Sequence, residues 1–502
     1  MSGQSRPCPV LRDEITAVFD LTFRVPDSFQ ALLPEELKQY GPAVVAGLEA
    51  FVAALPPERR AAVVQDLFAL GAGASVEEQL VAIARRCPTL HKLGQILARD
   101  PRLPESLRSL LRELESLPAR PVDEELRLGI LERTASPLGE VELEASTLAE
   151  GSVAVVVPFR WIRAVSGSVE EGVFKVHKPG AVAAIDEELD IWPEVGEIFA
   201  RVCVDQGVAA PNSDDLFGRM REVLEREVDL ERERDNLKAA GKVFRRDRRV
   251  RVPQVLPLRD RGLLAMTRLH GVPLGAATLD RDAARRTATE LFEALVLRPL
   301  LQARDIALVH GDPHAGNLMV LDGERGLGLL DWSLAAELSK AERVLIVQAV
   351  LAGLLLDRRR LERSMTGLAE EVVDGDELRA AVAAAIRSVH RGRLPGVGWL
   401  IALIDDLVLR GAVRFPPNLL VLRKSWVALA GVLLELDPAF SVESALARQV
   451  VAQSLRELPR RWLSLPFSRG FSNHLSNFDL LRITASGPAF LRNFWREVMA
   501  ES

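Results

Sequence analysis

The chain has 502 residues, 48% apolar and 27% charged, with a formal net charge of −6, a length that accommodates about two to three domains or one two-lobed enzyme with extensions. The acidic balance argues against a general attraction to nucleic acid. Three widely spaced cysteines, Cys8, Cys87 and Cys203, argue against a disulfide framework or a zinc site and for a reducing cytoplasm.

The first residues lack a basic segment followed by an apolar core, so no secretory signal is expected. The longest apolar stretches, residues 41–55, 344–356 and 399–409, fall short of the roughly 18 to 20 residues that span a bilayer. Residues 1–85 read as amphipathic helices, with starts at Pro34-Glu35-Glu36 and Pro56-Pro57-Glu58, and carry no evident chemistry. Residues 86–135 form a second helical piece. It contains Lys92-Leu93-Gly94-Gln95, a weak signal alone because Lys and Gln on a helix are usually solvated, and then a helix with Leu107, Leu110, Leu111 and Leu114 at core spacing.

From Val141 the apolar period shifts towards two. Residues 141–144, a turn Leu148-Ala149-Glu150-Gly151-Ser152 and residues 153–157 read as strand, small-residue turn and strand. A third strand, residues 172–177, places Lys175 among apolar β-formers, where a charge has to find a partner. The charged run of residues 220–233 is expected to be helical, mostly a solvated face with one or two acids turned inward. Residues 249–256 and 262–269 predict two further strands, the second carrying Met266, and residues 281–304 predict a helix.

The stretch with the clearest chemistry follows: His310-Gly311-Asp312-Pro313-His314-Ala315-Gly316-Asn317, a hairpin from residues 318–320 and 327–330, and Asp331-Trp332-Ser333. A carboxylate, a carboxamide five positions on and a second carboxylate at a strand end suit metal-assisted phosphoryl transfer: Asp312 addresses the acceptor hydroxyl, while Asn317 and Asp331 hold magnesium. Such hard oxygen donors favour magnesium over zinc, and Pro313 keeps His310 and His314 off a shared helical face. His310 reads as a structural anchor. Everything after residue 338 is expected to be helical, ending in an extension, residues 451–502, in which arginines alternate with Trp462, Phe467, Phe471 and Phe478. That mixture suits either peripheral contact with a membrane surface or packing on the preceding helices.

With these pieces in order, the chain resembles the UbiB-type (AarF-like) atypical protein-kinase-like family over roughly residues 90–448. The resemblance rests on Lys92-Leu93-Gly94-Gln95, on Leu148-Ala149-Glu150-Gly151-Ser152-Val153-Ala154 as an alanine-rich nucleotide loop, on Lys175 with Lys178-Pro179-Gly180, on Glu227-Val228-Asp229 and on the loop from His310 to Asn317. It implies an α+β, two-lobed protein-kinase-like fold: an N-lobe over residues 136–270, a helical C-lobe over 271–450, and helical extensions at both ends. It also implies that ATP and Mg2+ are the cofactors and that Glu233 pairs with Lys175. Ala149, Glu150, Gly151, Ser152, Lys175 and Met266 would contact ATP, with Asp312 catalytic and Asn317 and Asp331 at the metal. Lys92 and Gln95 would fill the groove where a protein kinase docks its substrate, with Lys92 held by Glu227 and Asp229. Such packing leaves a small-molecule or lipid acceptor, or hydrolysis, in support of prenyl-quinone or lipid metabolism.

Two departures stand out. Glu150 and Gly151 replace alanines, which would put a carboxylate beside the phosphates, and Asp331-Trp332-Ser333 replaces Asp-Phe-Gly, removing the flexible glycine and the usual packing residue. Two alternatives stay open: a small-molecule phosphotransferase resembling aminoglycoside and choline kinases, with Asp312 as general base, and a non-catalytic module switched by nucleotide.

Overall fold

The computed structural model describes residues 30, 32–71, 73–97, 103–112, 120–135, 137–151, 153–208, 221, 224–225, 228–260, 262–323 and 326–485. The chain divides into two compact units, Met1–Arg234 with Val255–Arg268, and Asp235–Gln254 with Leu269–Ser502.

The first unit begins with helices α1 (Gly41–Ala54), α2 (Pro57–Leu70), α3 (Val76–Arg86), α4 (Pro88–Leu97), α5 (Glu105–Arg112) and α6 (Glu124–Thr134). Their ends follow from sequence: Pro57 sits in the first turn of α2, where its missing N–H costs nothing, and Ser75 and Glu78 form a reciprocal capping box on α3. Strands β1 (Gly139–Leu143), β2 (Ala149–Glu150), β3 (Ala154–Arg163) and β4 (Val169–His177) lead into the long helix α7 (Ala181–Asp205) and then α8 (Leu230–Phe244). Within the charged run Arg221, Leu224, Glu225 and Val228 are helical as expected, and α8 starts at Leu230 after a break at Asp229; residues 222, 223, 226 and 227 lie outside the described set.

After β5 (Val250–Arg251), strands β6 (Val255–Asp260) and β7 (Leu263–Thr267) complete an antiparallel sheet in the order β1-β3-β4-β7-β6, with β2 on β3. The sheet has two faces of different character, because side chains alternate along each strand. One buries Val155, Val157, Phe174, Val176, Leu263 and Ala265 against Leu126 and Ile130 of α6. A second core joins the helices, with Phe51, Val52, Ile83, Leu107, Leu189 and Trp192 buried together.

The second unit carries β8 (Gly271–Pro273), α9 (Arg281–Phe292), which widens into a π-helical stretch over Glu293–Leu297, then β9 (Ile306–His310), β10 (Leu318–Leu321), β11 (Leu327–Leu329) and β12 (Ala335–Ser339). The expected hairpin is present, with Leu318 opposite Leu329 and Val320 opposite Leu327, and β12 pairs with β9. Helices α10 (Lys340–Leu354), α11 (Arg358–Leu368), α12 (Gly375–His390), α13 (Val397–Leu409), α14 (Pro417–Leu436), α15 (Val442–Arg456), α16 (Leu458–Trp462) and α17 (Asn477–Ala485) follow. The expectation of helix alone after residue 338 is corrected by a short ladder, Glu371–Val372 with Val413–Arg414. These residues close the ends of α11 and α13 against each other.

The segment around α16 and α17 buries a polar network. Arg461 donates to the Asn473 side chain at 2.7 Å and to the Leu475 carbonyl at 3.0 Å, with its guanidinium 3.9 Å over the Phe471 ring. Arg360 and Arg469 hold Asp479, whose pKa falls to about 2: burial opposes ionisation, and the hydrogen bonds from Arg360 and Ser476 outweigh it. His474 is fully buried, with a φ of 55°, and burial pulls its pKa down from 6.5 to about 4. The folded chain thus keeps this imidazole neutral while the unfolded chain protonates it below about pH 6.5, so its contribution to stability is present above that pH and is lost as pH falls towards 4. We expect the thermal unfolding midpoint to fall across this window, with a contribution on the order of 3 kcal/mol from this group. His474→Asn, which tolerates the left-handed backbone, should flatten that dependence; an unchanged slope in the variant would refute the assignment.

Candidate active site

In the first unit, antiparallel register decides which side chains share a face. Lys175 lies opposite Val156 on β3 and Leu264 on β7, and Met266, opposite Val173, falls on the same face two residues along. Ala149 pairs with Val156 and joins that face. Lys175 is largely buried there and meets Glu233 on α8, with Nζ 2.9 Å from Oε1 and 2.8 Å from Oε2. The pair answers the desolvation problem that a strand-interior lysine poses.

Glu150 corrects the sequence reading. It pairs with Val155, so its side chain belongs to the opposite face. It is buried, with its carboxylate 2.5 Å from Arg120 Nε and 2.6 Å from Lys178 Nζ. The added carboxylate therefore ties the turn to two cations and faces away from Lys175, and needs no metal. Gly151 closes the turn by donating to the Ala154 carbonyl at 2.8 Å; Ser152 lies outside the described residues.

Lys92 is half-buried on α4. The side chain of Gln95 and residue Glu227 lie outside the described residues. Asp229 is exposed and caps α8, its Oδ1 accepting the Arg232 N–H at 2.9 Å. Sequence reasoning missed what fixes α4: Glu188 of α7, fully buried, accepts the N–H of Thr89 at 2.8 Å and its hydroxyl at 2.6 Å, and pairs with Arg59. Burial raises the Glu188 pKa, opposed by those hydrogen bonds. The available signal was an acid on the apolar stripe of α7, flanked by Ile185, Leu189 and Trp192.

In the second unit the loop after β9 is built around His310. Its burial drives the pKa down, so the ring is neutral; Nε2 donates to the Leu330 carbonyl at 2.8 Å and Nδ1 accepts the Asp312 N–H at 3.2 Å. The Asp312 carbonyl accepts from Asn317 Nδ2 at 3.1 Å and from the His314 N–H at 2.9 Å. The Leu330 N–H donates to the Asn317 carbonyl at 2.9 Å, which sets Asn317 and Asp331 at the same end of the hairpin. Gly311 is required by close approach: a Cβ there would lie 2.8 Å from the Leu334 carbonyl oxygen and 2.8 Å from Val421 Cγ1.

Asp331 takes the left-handed conformation, φ 45°, and its Oδ1 accepts the Ser333 N–H at 3.0 Å. The expected loss of the packing residue is also corrected. Trp332 is fully buried, 4.7 Å from the His310 ring and 6.3 Å from Phe244, its Nε1 donating to the Leu329 carbonyl at 3.3 Å and its carbonyl accepting from Asn236 at 2.9 Å. A residue that sequence reasoning did not single out, Lys424 on α14, places Nζ 3.3 Å from Asp312 Oδ1.

The donor set fits magnesium. With its Nδ2 turned onto the Asp312 carbonyl, Asn317 presents its Oδ1 without a protein donor among the described residues, and the backbone bond from Leu330 to Asn317 brings the Asp331 segment to the same hairpin end. Among the described residues no three His, Cys, Asp or Glu gather into a cage; magnesium held through one or two side chains and substrate phosphates requires none.

Several known proteins are similar to this chain. The ABC1 atypical kinase-like domain matches residues 141–365. An uncharacterised Synechocystis protein is 27% identical over 305 residues, 57% of this chain and 71% of the relative. The Arabidopsis thaliana chloroplastic protein ACTIVITY OF BC1 COMPLEX KINASE 7 is 25% identical over 391 residues, 74% of this chain and 53% of the relative, so the chain spans about half the length of that protein. A solved structure, the Mycobacterium tuberculosis Rv3197–erythromycin complex, aligns with 78% of this chain and 87% of its own at 18% identity and a TM-score of 0.43. Residues 141–365 thus match the atypical kinase-like domain of the UbiB/ABC1 family, to which the ACTIVITY OF BC1 COMPLEX KINASE relatives also point.

Proposed function

We propose that the protein is an ATP-binding, Mg2+-dependent atypical kinase or ATPase. Two observations support this reading, each within its own unit: the buried Lys175–Glu233 couple in the first, and the hairpin end that gathers Asp312, Asn317 and Asp331 in the second. Lys175 would bind the α/β phosphates, oriented by Glu233, and the backbone around Ala149 and Gly151 would lie along the nucleotide, with Met266 at the base. Asn317 and Asp331 would hold Mg2+, which supplies charge neutralisation on the phosphates. Asp312 would accept the proton of the attacking hydroxyl or water as its oxygen bonds to the γ-phosphorus, the bond to the β–γ bridging oxygen breaks and ADP departs.

The reading predicts magnesium-dependent ATP turnover by the purified chain, lost by about 100-fold or more in Lys175→Ala and in Asp331→Asn, as expected for residues that position and neutralise phosphates. Turnover that survives both substitutions, or that ignores magnesium, would sink it. Nucleotide-dependent thermal stabilisation without turnover would favour the switch instead.

For the acceptor side, we propose an amphiphilic setting at a membrane surface, in keeping with the prenyl-quinone or lipid metabolism that the resemblance implies. No helix among the described residues is long and apolar enough to cross a membrane. Yet Trp462, Leu463, Leu465 and Phe467 are 85%, 93%, 79% and 69% exposed, beside the exposed Arg456 and Arg460, while Arg461 and Phe471 pack inward. Aromatics and leucines presented with arginines suit the interface of anionic lipid. Flotation with anionic liposomes should fall at least several-fold in a Trp462→Ser, Leu465→Ser, Phe467→Ser variant, and equal flotation would rule the surface out.

A further inference from the structure

Asp312 is held on its backbone side by three hydrogen bonds, through His310, His314 and Asn317. Those bonds aim its side chain without fixing its torsion. The loop between Asp312 and Asn317, Pro313-His314-Ala315-Gly316, supplies no lysine or arginine. His314 is itself used locally, its Nδ1 accepting the Gly316 N–H at 3.2 Å. A cation reaches Asp312 from elsewhere in the same unit.

It comes from α14. Leu419, Leu422, Ser425, Trp426, Leu429 and Leu433 are buried, which fixes the rotation of the helix about its axis. Asn418 adds a hydrogen bond to the Glu337 carbonyl at 3.0 Å, anchoring the first turn to β12. Val421 fills the space that the missing side chain of Gly311 leaves, its Cγ1 lying 2.8 Å from where a Cβ would stand. Three residues on, close to one turn of helix, Lys424 meets Asp312, with Nζ 3.3 Å from Oδ1. The glycine before the aspartate and the lysine after the valine are thus two parts of one contact. The neighbouring cation is committed elsewhere: Arg423 makes a bidentate pair with Asp405, at 2.6 and 2.9 Å.

From this geometry we propose that Lys424 is a positioning residue for the phosphoryl-transfer step, orienting the Asp312 carboxylate towards the acceptor oxygen and offsetting its negative charge where it faces the transferred phosphoryl group. The inference rests on the functional reading above. An ammonium on a four-carbon stem acts here as a point charge, so an arginine can do part of the same work. Misplacing a catalytic carboxylate by about 1 Å costs up to about 100-fold, and a positioned general base contributes roughly 100-fold or more.

The test compares steady-state ATP turnover of the full chain with that of Lys424→Met and Lys424→Arg, alongside Lys175→Ala and Asp331→Asn, with thermal unfolding of each. Lys424→Met is expected to lower kcat about 10- to 100-fold, with KM for ATP within about threefold and an unchanged unfolding midpoint, and Lys424→Arg should recover most of kcat. A purely structural role would instead lower the midpoint and leave kcat of the folded protein intact. Unchanged kcat in Lys424→Met, or a rise in KM alone, overturns the inference while Lys175→Ala and Asp331→Asn remain inactive. Absence of turnover in the unsubstituted chain, or full activity in Lys175→Ala and Asp331→Asn, overturns the functional reading and this inference with it.

Discussion

A neutral imidazole with both nitrogens committed is the constraint around which the second unit's loop is assembled. His310 cannot ionise cheaply where it is buried, so one nitrogen must donate and the other accept. The donor end binds the strand that leads to Asp331, and the acceptor end binds the amide of Asp312. A single side chain therefore links the two segments that carry the carboxylates, and Trp332, fully buried, packs its ring at a tilt against it.

Elsewhere the same problem, a charge removed from water, is solved by pairing. Lys175 and Glu233 meet across a sheet and a helix, Glu150 is shared by Arg120 and Lys178, and Glu188 by Arg59 and the end of α4. Each such pair is weak evidence of stability, because desolvation cancels much of the attraction. Removing one partner would strand the other, however, so each pair fixes a geometry strongly. These three fix, in turn, the lysine that faces the proposed phosphates, the turn beside it and the helix that carries Lys92.

The sequence was legible where short-range periodicity and chemistry coincide. The hairpin after Asn317 and the strand holding Lys175 follow from alternation and turn residues, and the need for an acid partner from the rule that an interior charge seeks a counter-charge; that Glu233 is that acid came from the family resemblance alone. What escaped notice depends on parity or on distance along the chain. Glu150 and Ala149 are neighbours in sequence and opposites in space, since one step along a strand reverses the face, and no local pattern states which of them looks at Lys175. Glu188 finds Thr89, and Lys424 finds Asp312, only once helices from distant parts of the chain are packed.

The tryptophan at position 332 has a consequence for small molecules. In an Asp-Phe-Gly segment the aromatic can swing aside about the glycine and open a second compartment for a ligand. Here the ring is tethered by its own N–H, its carbonyl is held by Asn236, and Ser333 is bound back to Asp331. Compounds whose affinity depends on that displaced aromatic have no hinge to exploit, so a small molecule that binds beside this segment has to accept it as it stands.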